Sequence, residues 1–73
     1  MNNTRRKQIK VVRDALEKLS KELDTIRTDE QEYMDNMPEA FQDSEKYSIA
    51  DEAVSNLDDA ISSVDEAVTS LEF

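Results

Sequence analysis

Cysteine, histidine, tryptophan and glycine are all absent from this chain, and proline occurs once. Without cysteine there is no disulfide framework and no thiolate metal site; without histidine the usual general base and commonest metal ligand are both missing. No phosphate-cradling loop forms without glycine. Turn-rich architectures depend on glycine and proline, which argues against an all-β or loop-rich fold. No apolar run approaches the roughly 20 residues needed to cross a bilayer, and the basic start (Arg5, Arg6, Lys7) is not followed by the apolar core of a signal peptide. The expectation is a soluble, cytoplasmic protein that binds no membrane, cofactor or metal and is not an enzyme.

What is present is a rhythm of seven. Asp51–Leu57 reads DEAVSNL, Asp58–Val64 reads DDAISSV and Asp65–Leu71 reads DEAVTSL. Apolar residues at that period form a seam along a helix that another helix must cover. In heptad letters the second segment has Tyr47, Val54, Ile61 and Val68 at a, with Ala50, Leu57, Val64 and Leu71 at d. The first has Ile9, Leu16, Leu23, Glu30 and Met37 at a, with Val12, Leu19, Ile26 and Tyr33 at d. Pro38 separates the two, and the residue before a proline avoids helical backbone. The pattern predicts one all-α domain over residues 1–73: a helix over about 4–36, a linker over about 37–43, and a helix over about 44–72. Asn3 or Thr4 is the expected cap of the first helix, Asp43 or Ser44 of the second.

Two helices of about 45 Å joined by about seven residues fold back as an antiparallel hairpin. Pairing a with d at an index sum of 80 gives mostly apolar layers, such as Leu19 with Ile61 and Ile26 with Val54. That register sets Arg13 near Asp65 and Arg27 near Asp51. A chain of 73 residues buries too little surface to be comfortably stable alone. Ala53, Ala60 and Ala67 at g widen the apolar face of the second helix beyond the two rows that one partner covers. Self-association through that alanine row, as a homodimer forming a four-helix bundle, is the expected remedy.

Charge is spread unevenly. Residues 1–36 hold eight basic and eight acidic side chains, whereas residues 37–73 hold one and ten, so the net charge of −9 arises in the second half. That half is unsuited to direct binding of nucleic acid, which requires cations against phosphate. The basic cluster Arg5, Arg6, Lys7, Lys10 and Arg13 is expected beside Glu66, Glu72 and the C-terminal carboxylate. Asp51, Glu52, Asp58, Asp59, Asp65 and Glu66 form an acidic face, the first candidate for binding another protein. Spread over 15 residues of helix they supply about one charge per 4 Å, against one per about 1.7 Å in duplex DNA. Mimicry of nucleic acid in a basic groove is therefore an alternative that needs two such helices side by side. Glu30, the one acid in the seam, is read as a register-setting polar residue rather than a catalytic group. Met37, Phe41 and Tyr47, with Tyr33, gather at the linker end, where they either plug the bundle or form a second, aromatic binding tip.

The linker itself is distinctive: Asp35-Asn36-Met37-Pro38-Glu39, then Gln42, Ser44, Glu45 and Tyr47. With the Arg5-Arg6-Lys7 start and the acidic heptads, it resembles short acidic two-helix proteins of bacterial phages, prophages and other mobile elements, a group with no established activity. What the resemblance implies is a mobile-element context, which favours a small inhibitor of a host enzyme or defence system more than composition alone does. The functional expectation is a protein-interaction module acting through the acidic helix or the tip, with a self-associating scaffold as the alternative class.

Overall fold

The computed structural model describes residues 1–72. Helix α1 (Asn3–Asp35) and helix α2 (Glu45–Ser70) form a hairpin about 60 Å long and 14 Å by 12 Å across. Asn2 starts α1: its side chain accepts the Arg5 N–H at 2.8 Å, so the cap lies one residue before the expected Asn3. The helix stops at Asp35, where the Asn36 N–H closes the last turn on Glu32. Pro38 holds extended backbone (φ −56°, ψ 145°) and leads into one turn of 3-10 helix, Glu39–Phe41. Ser44 caps α2 by accepting the Tyr47 N–H at 3.3 Å.

The buried core is small. Met34, Ala50 and Val54 form its main cluster, with Tyr47 packed against it, and Val68 is buried towards the other end. α2 turns its a and d rows inward as expected, with the alanine row half-buried beside them. α1 does not. Its half-buried and buried positions run Ile9, Arg13, Leu16, Ser20, Leu23, Arg27, Glu30 and Met34, which are rows a and e, with Gln31 of row b added near the tip. The expected d row is left out: Val12, Leu19, Ile26 and Tyr33 keep 53, 50, 54 and 48% of their surface. At about 100° per residue, α1 is rotated by roughly 50° from the a/d orientation.

Polar contacts account for the rotation. Ser20 Oγ donates to Asp65 Oδ1 at 2.7 Å, and Arg27 Nε donates to Asp58 Oδ1 at 2.9 Å. Both join row e of α1 to row e of α2, at an index sum of 85. Arg27 therefore pairs one heptad beyond the expected Asp51, and Asp65 is taken by Ser20 instead of Arg13. Helical side chains lean towards their own N-terminus. In an antiparallel hairpin that direction carries the long Arg27 side chain away from the tip, towards Asp58.

Candidate interaction surface

An antiparallel helix pair has two edges, one where e meets e and one where g meets g. Ser20–Asp65 and Arg27–Asp58 close the first with hydrogen bonds. The second is open. On α1 it shows row d (Val12, Leu19, Ile26, Tyr33) with Val11 and Ala15 beside it; on α2 it shows Ala53, Ala60 and Ala67 with Ile49, Asn56, Ser63 and Ser70 of row c. Among the described residues of the two helices, every large apolar side chain that remains exposed (Val11, Val12, Leu19, Ile26, Tyr33 and Ile49) lies on this edge. No charged residue occupies rows c, d or g of α2 between Ile49 and Leu71. At the terminal end the edge dips into a shallow hollow between Arg5, Gln8, Ile9, Val12 and Leu71. An uncovered apolar row of this length makes this edge the candidate binding surface.

The expected alanine row thus lies on the open edge, half-buried, and it is joined there by a row of α1 that the sequence pattern assigned to the seam. The structure exposes all six residues of the acidic face, Asp51, Glu52, Asp58, Asp59, Asp65 and Glu66. They do not act as one set. Asp58 and Asp65 are engaged across the closed edge by Arg27 and Ser20, which leaves Asp51, Glu52, Asp59 and Glu66 facing outward. That thins the outward charge further below the spacing of a nucleic-acid backbone.

At the tip, Met37 and Tyr47 are half-buried while Phe41 keeps 58% of its surface. Tyr33, Met37, Pro38, Phe41, Ser44, Glu45 and Lys46 line an open hollow of about 560 Å³. The residue that plugs this end of the hairpin is Met34, only 4% exposed. Sequence reasoning missed it because the rest of its row (Arg13, Ser20, Arg27) is polar, so spacing carried no apolar signal there.

The basic cluster is not neutralised in the expected way. Among the described residues no ion pair joins Arg5, Arg6 or Lys7 to Glu66 or Glu72, and the C-terminal carboxylate belongs to Phe73, outside the described residues. Lys10 instead donates to Asp14 at 3.0 Å, and Arg13 approaches the same carboxylate at 3.7 Å. The Lys10 hydrogen bond, reinforced by the charges of Lys10 and Arg13, holds the Asp14 carboxyl below the ordinary aspartate value. Arg13 Nε is buried without a hydrogen-bond partner among the described residues, a small desolvation cost on the closed edge.

Among the described residues no three carboxylates converge as a metal site, and no helix is long and apolar enough to cross a membrane. Compared with protein-family models, with curated proteins and with solved structures, the chain has no match.

Proposed function

We propose that this chain is a non-enzymatic protein-interaction module that works by covering its open edge with other helices. The observation that carries the reading is the half-exposed d row of α1 beside the alanine row of α2, two apolar rows on one side of the hairpin whose α2 half carries no charge between Ile49 and Leu71. The first occupant is a second copy. Face to face, two hairpins make a four-helix bundle in which a of α1 meets α2 within the chain and d of α1 meets the other copy. A face 60 Å by 14 Å offers roughly 800 Å², the area each partner contributes to a stable complex of standard size.

The outside of that bundle, with its acidic rows and aromatic tips, is what a protein target would meet. The resemblance to mobile-element proteins supports a target among bacterial host enzymes or defence proteins, acting in the host cytoplasm. Mimicry of nucleic acid is weakened by the engagement of Asp58 and Asp65, and a pure scaffold would have no target at all.

Sedimentation equilibrium tests the first step. A dimer that dissociates on Ala60→Glu or Leu19→Glu supports the open edge as the interface, whereas a wild-type monomer at micromolar concentration refutes self-association. Capture of host proteins on the immobilised dimer tests the second. A partner lost on Phe41→Ala assigns the tip, one lost on Asp59→Lys with Glu66→Lys assigns the acidic helix, and failure to find any leaves the scaffold.

A further inference from the structure

Resting on the self-association proposed above, the distribution of charge along the hairpin selects how the two copies face each other. Its terminal half (residues 1–20 and 61–72) carries six cations and five carboxylates; its tip half (residues 21–60) carries three cations and thirteen carboxylates. The halves are therefore +1 and −10, an asymmetry the total charge conceals.

The apolar rows accept two arrangements. With the two-fold axis along the hairpin, α1 lies over α2 of the other copy and both tips share one end. With the axis across the hairpin, α1 lies over α1 and α2 over α2, head to tail. In the second case Leu19 of one copy falls opposite Ile26 of the other and Val12 opposite Tyr33, while Ala60 lies on the axis and faces itself. One axis serves both helices, because the midpoint of row d between Leu19 and Ile26 lies level with Ala60 at an index sum between 80 and 85. Shape alone does not choose.

Charge does. Stacked helices lie about 8–10 Å apart, close to the Debye length of about 8 Å at physiological salt, so facing charges are still felt. Tips together would gather twenty excess negative charges at one end; head to tail puts each −10 half against a +1 half. Along α1 the match is closer still, since Arg5, Arg6, Lys7, Lys10 and Arg13 then fall level with residues 32–40, the stretch containing Glu32, Asp35 and Glu39. Arg5, which begins row d, falls level with residue 40, beside the hollow that Tyr33, Phe41 and Glu45 line. Head-to-tail pairing thus supplies carboxylates to Arg5, Arg6 and Lys7, which the expected partners Glu66 and Glu72 do not hold.

We propose that two copies of this chain pair head to tail, the basic terminal end of each lying against the acidic tip of the other. The chain has no cysteine, so a single label is clean. Ala40→Cys, exposed in the tip turn, would carry a spin label whose distance between subunits is read by pulsed electron resonance. Head-to-tail pairing predicts one long distance approaching the 60 Å length of the hairpin; tips together predict about 20 Å, twice the helix spacing. Mixed dimers labelled at Ala40→Cys in one copy and Thr4→Cys in the other reverse the expectation, which guards against a label that disturbs the tip. A dimer with a short tip-to-tip distance, or with both distances populated, overturns the orientation and leaves self-association standing. A chain that sediments as a monomer overturns both.

Discussion

The two edges of this hairpin are made from neighbouring rows of the same two helices and behave in opposite ways. The e edge is polar in sequence, yet it closes, because Ser20 and Arg27 find carboxylates across the gap. The g edge carries two apolar rows, d of α1 and the alanine row of α2, yet it stays open, because two helices alone cannot cover three rows. Polar residues with specific partners rotated α1, and nonspecific apolar surface was left for association. Register is set on one side of the molecule, and the apolar surface proposed for binding lies on the other.

The sharpest way to break that division is to put charge on the open edge. Leu19→Glu is expected to weaken dimerisation at least about 100-fold, a cost of some 3 kcal/mol for burying an unpaired carboxylate in place of a leucine. Ser62→Glu, on the exposed face away from the open edge, should change it less than about two-fold; sedimentation equilibrium reads both. If the two substitutions acted alike, the open edge would not be the interface. Next in size is Met34→Ala, which empties the tip end of the core and is expected to cost about 2–4 kcal/mol in urea unfolding. Stability must be compared at one protein concentration, since the proposed dimerisation would contribute to it.

On the closed edge the effects are smaller. Ser20→Ala leaves Asp65 without its donor and should cost about 1 kcal/mol. Arg13→Met removes a buried nitrogen that has no hydrogen-bond partner among the described residues and should stabilise by up to about 1 kcal/mol in the same assay; destabilisation would show that the guanidinium is held by something other than Asp14. Smallest is the titration of Asp14. Its folded pKa is depressed by Lys10, so its contribution is complete above the ordinary aspartate value and is lost as pH falls below about 4 through the lowered one. Asp14→Asn should abolish that acid-dependent part of the unfolding curve and leave the rest unchanged.

Both helices, the break at Pro38 and the hairpin were legible in the sequence, because a seven-residue apolar period and a lone proline leave few other solutions. The angle at which α1 presents itself was not. Row d reads as seam because Val12, Leu19, Ile26 and Tyr33 are apolar, while row e reads as surface because Arg13, Ser20 and Arg27 are polar. Only the distances to Asp58 and Asp65 reveal that polarity can face inward when a partner waits there. The same residues explain the uneven reading of the candidate surfaces. The alanine row was visible from spacing, but the larger half of the open edge lay hidden among residues already assigned to the core. The acidic rows were visible too, though not that two of their members are spoken for.

Pro38 has a consequence beyond ending α1. A continuous helix through residues 3–70 would be a rod of about 100 Å, and rods with these heptads would exchange their halves with one another, growing into swapped or open-ended assemblies. Proline inside such a helix costs about 3 kcal/mol, having no N–H to donate and a ring that collides with the preceding turn. One residue thereby keeps each polypeptide folded on itself, and the assembly proposed for it finite.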